Sequence, residues 1–228
     1  MRVTTAKLSR AAALCAVLSG LLYVAIQFIH PEETLEAVST DSWVVVALLT
    51  VAMALLGLIG VTGIYLRQTE ETGVLGLLGY LFLGLFFLLP IAFSFAEALI
   101  LPLIVSDAPG FVENFNGLFN GEGTDGTLGA LESISVVAGV LYLAGGVLFG
   151  IAVLRARILW SWAPILLIAG AVLAPLSALV PHEVGRFAAV PVGVALIGLG
   201  LSLWIDRNEA TSRESLGMPA SPTTQPAV

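Results

Sequence analysis

The chain has 228 residues, of which 58% are hydrophobic and 11% charged, with a mean hydropathy of +1.01; that balance excludes a water-exposed globule of this size and predicts lipid as the surrounding solvent. Nine Lys plus Arg stand against 16 Asp plus Glu, a formal net charge of −7, which excludes the basic face a nucleic-acid partner needs. The single cysteine, Cys15, lies inside an apolar run and rules out an intrachain disulfide or a Cys-based metal site.

Crossing roughly 30 Å of hydrocarbon takes about 20 apolar residues, and lipid obliges them to be helical. Six segments meet that requirement, predicting an all-α polytopic transmembrane bundle. They run from Ala11 to Ile29, Trp43 to Leu66, Gly73 to Val105, Leu128 to Leu154, Leu159 to Val180, and Arg186 to Ile205. Residues 1–10 precede them, carrying Arg2, Lys7 and Arg10 like the start of a signal peptide. The apolar run ends in Ile29-His30-Pro31 rather than small-x-small, so it reads as a retained first helix. The third segment, at 33 residues, would extend about 50 Å if straight, so it must tilt, break or emerge. Pro90 favours a kink and Pro102 an end to that helix.

In the following loop Phe111, Phe115 and Phe119 recur at helical spacing, which fits either an interfacial helix on lipid headgroups or a disordered Gly- and Asn-rich loop. The tail, 206–228, is rich in Pro, Ser and Thr and reads as disordered. Of the nine Lys and Arg, only Arg186 lies away from the side of the N-terminus. The positive-inside rule therefore places both termini in the cytoplasm and the protein in the plasma membrane. One lysine beside eight arginines, with abundant Ala, Gly, Val and Leu, points to a GC-rich, prokaryotic genome.

Helices in lipid associate where small residues let backbones approach, so the glycines are read as packing positions, among them Gly73, Gly76 and Gly79, Gly146 and Gly150, and Gly193, Gly198 and Gly200. An echo at an offset of 119 residues relates Ser19-Gly20-Leu21-Leu22-Tyr23 to Ala138-Gly139-Val140-Leu141-Tyr142, and Ser42-Trp43 to Ser161-Trp162. Three helices per half would make a 3+3 inverted repeat of the kind found in transporters.

Polar groups inside lipid are costly, so their positions point to function. Ser19, Tyr23, Gln27 and His30 share one face of the first span. Pro90, Ser94 and Glu97 share a face of the third, and Glu132, Ser135, Gly139 and Tyr142 a face of the fourth. Convergence of these faces would make a polar cavity with Tyr23, Gln27, Ser94, Glu97, Glu132 and Tyr142 as ligand-binding groups; interhelical bonding of the hydroxyls and amide, with both glutamates at a wet interface, is the structural alternative. His30 and His182, each beside a proline and near Glu32 or Glu183, are the metal candidates, although no His-x-x-x-His or Glu-x-x-His spacing is present. Gly198-Leu199-Gly200-Leu201-Ser202 lacks the strand context of a nucleophile elbow, and His182-Glu183 lacks a second histidine. Trp43, Trp160, Trp162 and Trp204 sit near span ends as interfacial anchors.

An Arg-preceded first helix with Gly20-Leu21-Leu22-Tyr23, followed later by Arg155-x-Arg157-x-x-Trp160-Ser161-Trp162-Ala163-Pro164, resembles small six-helix membrane proteins of high-GC bacteria and archaea grouped under domain-of-unknown-function labels. The resemblance covers most of the membrane part and brings no catalytic residue to carry over. The leading expectation is a non-enzymatic integral membrane protein acting by binding, structural support or assembly, with no cofactor. Membrane lipids, and a homo-oligomer or another membrane protein, are its expected partners. A small-molecule or ion transporter with its site between the first, third and fourth spans is the alternative, and a metal-dependent membrane enzyme using His30 and His182 the third reading.

Overall fold

The computed structural model describes residues 4–120, 125–179 and 182–215, with side chains left aside at 119, 120, 177–179, 182, 183 and 207–215. Among those residues the regular elements are all helices, without strands.

Helix α1 (Thr5–Ile29) starts where the Thr4 hydroxyl accepts from the Lys7 amide at 3.3 Å. A single turn, α2 (Leu35–Val38), leads to α3 (Asp41–Arg67), capped by Thr40 and carrying Asp41 in its first turn and Arg67 in its last, the signs that suit the helix dipole. Helix α4 (Thr69–Leu99) bends at Gly73, where φ is 55° and ψ −148°, and continues through Pro90. The long third segment breaks at Ile100, after which α5 (Leu101–Ile104) holds Pro102 in its first turn, where a missing amide costs nothing.

The Phe-bearing loop forms a helix, α6 (Pro109–Asn120), rather than a disordered segment, with Val112, Phe115 and Leu118 buried against protein and Phe111 exposed. The Phe115 ring stacks on Phe93 of α4 at 4.1 Å. With Val38, Trp43 and Leu101, Val112 and Phe115 make a second buried apolar cluster, against which Phe93 packs.

Helix α7 (Ile134–Ala156) follows a 3-10 turn, Gly129–Ser133, and ends with Arg157 in the left-handed region. The fifth segment is α-helical over α8 (Trp162–Leu173) alone, about 18 Å long, then tightens to 3-10 geometry at Ala174–Leu179 around Pro175. After α9 (His182–Gly185) and a 3-10 turn, Arg186–Ala189, helix α10 (Val190–Ser215) runs past the expected end at Ile205. The remainder of the tail, 216–228, lies outside the described residues. Five helical stretches are therefore long and apolar enough to cross a membrane, with a shorter apolar one at Trp162–Leu176.

These helices close a ring in chain order, each packed on its neighbour, with α10 returning to α1. Neighbours are antiparallel: Gly60 of α3 lies against Ala16 and Gly63 against Ala12, while Gly79 of α4 meets Phe149 and Gly145 of α7 meets Leu83. Gly20 and Gly193 touch across α1 and α10, and Gly146 sits on Ala171 of α8. Most of the marked glycines thus serve close approach, as expected in lipid. Gly73 does not, having nothing within 4 Å of its Cβ position; its role is the bend.

The ring order removes the 3+3 inverted repeat. A two-fold axis in the membrane plane turns one half over, so partner helices must follow one another around the ring in opposite senses. Here α1, α3, α4 and then α7, α8, α10 follow in the same sense, and no rotation superposes them with directions reversed. The 119-residue echo is a likeness of apolar strings.

Leu21, Leu55, Leu85, Val140 and many like them point outward from the ring. Such a continuous apolar exterior has a solvent match only in lipid. Trp160, Trp162 and Trp204 are part-exposed near the end that carries the termini, whereas Trp43 is 3% exposed and belongs to the core rather than to an interfacial belt.

Candidate functional site

Glycine contacts close the ring toward the end that carries the termini, while the loop end opens into three adjoining cavities of about 250, 340 and 250 Å³. Phe86 of α4 lines all three. Pro90, which has no amide hydrogen, cannot make the helical bond to the Phe86 carbonyl.

The first cavity lies between α3 and α4 and is lined by Trp43, Thr50, Phe93, Ser94 and Glu97, with His30 and Glu33 from the end of α1 and the turn after it. Spacing of three to four residues brings Pro90, Ser94 and Glu97 to one face of α4. The Ser94 hydroxyl stands beside the Glu97 carboxyl, and Glu33 is near enough for the two carboxyls to feel each other. The Trp43 indole donates to the Glu97 backbone carbonyl at 3.0 Å. Among the described lining residues there is no lysine or arginine.

In the second cavity Tyr23 and Gln27 of α1 meet Ser135 and Tyr142 of α7, together with Arg186. The two tyrosine hydroxyls face one another, and the Gln27 amide donates back to the Tyr23 carbonyl at 2.9 Å. The third cavity joins the other two, sharing Tyr23, Gln27 and Arg186 with the second and His30, Glu33 and Thr50 with the first. Arg186 donates to the His30 carbonyl at 3.3 Å and lies 5.4 Å from the Phe187 ring centre.

Of the residues singled out by sequence, Tyr23, Gln27, Tyr142, Ser94 and Glu97 therefore share one connected space. Ser19 does not: its hydroxyl donates to the Met53 carbonyl at 2.8 Å, an interhelical bond within the packed half. Glu132 lines none of the three cavities; its carboxylate accepts from the Leu128 amide at 3.2 Å and holds the turn before α7. His30 does line the cavity, its Nδ1 2.9 Å from the Pro31 carbonyl oxygen and its ring 6.4 Å from Trp43. The His182 side chain lies outside the described residues, and among the described residues no group of three His, Cys, Asp or Glu could hold a metal ion.

Sequence reasoning missed Glu33, Thr50, Phe86 and Arg186 as cavity residues. For Arg186 the signal was there, since it is the sole cation apart from the other eight. Thr50 and Phe86 carry no sequence mark, because their role comes from where α3 and α4 meet.

A helical ring with an apolar exterior and a polar pocket at one end defines a multi-pass membrane protein. Comparison with protein-family models, with curated proteins and with solved structures finds no match in any of the three.

Proposed function

We propose that this chain is a six-crossing plasma-membrane protein, both termini cytoplasmic, that binds a small ligand in the cavity between α1, α3, α4 and α7 without acting on it chemically. The observation that carries the reading is the meeting of Tyr23, Gln27, Ser94, Glu97 and Tyr142, from three helices, around connected space in an otherwise apolar ring. Polar side chains held there instead of in lipid are expected of a binding site. On this reading α8 is the sixth crossing, completed by its 3-10 extension, and the arginine distribution sets the orientation.

Transport is the second reading, favoured by one feature. At the closed end Arg67 of α3 grips Asp206 of α10 through two hydrogen bonds of 2.7 and 3.0 Å, a contact that must part if the ring is to open there. Binding alone requires no such opening.

The test is a Gln27→Cys variant in a Cys15→Ser background, exposed in intact cells to a membrane-impermeant thiol reagent. Modification from outside, slowed at least tenfold by Ala138→Phe in the cavity wall, supports the reading. An unreactive Gln27→Cys, or one indifferent to Ala138→Phe, overturns it.

A further inference from the structure

The chemical class of the ligand can be read from the second cavity, an inference that rests on the binding site proposed above. We propose that this cavity takes an organic anion, a carboxylate or phosphate group held at Arg186 with an apolar body against Phe86 and Ala138. Arg186 is the sole charged side chain among the described residues lining the cavity, whereas Glu33 and Glu97 line the adjoining ones. A guanidinium keeps its proton in proteins, so this positive charge persists whatever the depth of burial. Among the described residues the one ion pair is that of Arg67 with Asp206, so no carboxylate, Glu33 of the third cavity included, is paired with Arg186.

Hydrogen bonding points to the same class. One terminal nitrogen of Arg186 donates to the His30 carbonyl at 3.3 Å, but its Nε is buried with no partner. A buried donor on a charged group is costly to leave without an acceptor, and an anionic oxygen in the cavity removes that cost. Neutral groups in the same walls also have protons to give. Tyr23 and Tyr142 bond one another through their hydroxyls, which uses one proton and leaves the other for an acceptor. Gln27 spends one amide hydrogen on the Tyr23 carbonyl and keeps a second. A neutral ligand satisfies these donors but leaves the guanidinium without a counter-charge, and a cation is repelled by it.

The test uses the full chain in phosphatidylcholine nanodiscs, with empty nanodiscs as blank, and three probes of similar body: 3-phenylpropanoate, 3-phenyl-1-propanol and 3-phenylpropylammonium. Calorimetric titration should show saturable binding of the carboxylate at least tenfold tighter than of the alcohol, and none of the ammonium probe. Arg186→Gln should weaken the carboxylate at least tenfold and leave the alcohol unchanged, and Ala138→Phe, in the cavity wall, should remove both. If Arg186→Gln does not fold, the three-probe comparison on the unaltered chain still decides. Native mass spectrometry of the detergent-purified chain separates the two sources of such a group. Retention of phosphatidic acid over phosphatidylcholine, lost in Arg186→Gln, assigns the anion to a lipid headgroup, and carboxylate binding without that retention assigns it to a water-borne molecule. Equal binding of carboxylate and alcohol, with both lost in Ala138→Phe, would overturn the anionic class while leaving the cavity as a binding site. No saturable carboxylate binding together with no preference for phosphatidic acid overturns the inference, and labelling of Gln27→Cys then judges the cavity separately.

Discussion

The indole of Trp43 bonds the backbone carbonyl of Glu97 at 3.0 Å, tying the first turn of α3 to the last turn of α4 just before the break at Ile100. The bond gives a buried indole its acceptor and a carbonyl at a helix end its donor, and it fixes the height at which the Glu97 side chain enters the cavity. Trp43→Phe keeps an aromatic ring but removes both the donor and part of the buried indole. The expected cost is about 1–3 kcal/mol, the lost interhelical hydrogen bond together with the void left behind. Unfolding in mixed detergent should read this loss, and a midpoint equal to that of the native chain would contradict the role.

The α4 and α7 interface depends on backbones in contact at Gly79 and Gly145, where a Cβ would fall on Phe149 and Leu83. Gly79→Leu should cost about 1–3 kcal/mol or prevent folding, by overpacking. Gly139→Ala on the same helix α7, with nothing within 4 Å of the new atom, serves as control and should leave the midpoint unchanged. Equal effects of the two substitutions would show that glycine contacts do not hold the ring.

At Gly73 the backbone lies where only glycine is comfortable, φ 55° and ψ −148°. Gly73→Ala meets no steric neighbour, so its whole effect is conformational, about 1–3 kcal/mol. A stabilised Gly73→Ala protein would mean that α4 is straight there.

Across the closed end, the pair of Arg67 and Asp206 is roughly a quarter exposed on each side chain, so water and salt weaken it. A double-mutant cycle with Arg67→Gln and Asp206→Asn should return a coupling of about 0.5–1 kcal/mol that shrinks in high salt. No coupling at low salt would remove the pair as a clasp between α3 and α10.

How much of this was legible in the sequence depends on what each feature needs. The apolar runs marked every ring helix, because hydropathy over about 20 residues is a local property. The faces carrying Tyr23 and Gln27, or Ser94 and Glu97, followed from helical periodicity alone. Ends were harder to place: Pro175 shortens α8 and Ile100 breaks the third segment, both within stretches that remain apolar throughout. Which polar residues meet was not local at all. Ser19 and Tyr23 share a face, yet one is spent on the Met53 carbonyl and the other lines the cavity, a difference set by how deep each lies against α3. Trp43 carries the composition of an interfacial anchor, and only the fold of α6 and α2 over it makes it a wall of the site.

The central claim is that lipid surrounds the ring, with the cavity end outside and the arginine-rich end inside. Single cysteines at Glu32 and at Arg155, each in a Cys15→Ser background, test it most directly when an impermeant maleimide is applied to intact cells and then to inverted vesicles. The account predicts that Glu32→Cys is labelled in intact cells only and Arg155→Cys in inverted vesicles only. Labelling of Arg155→Cys from outside intact cells, or of both positions from one side, would contradict it.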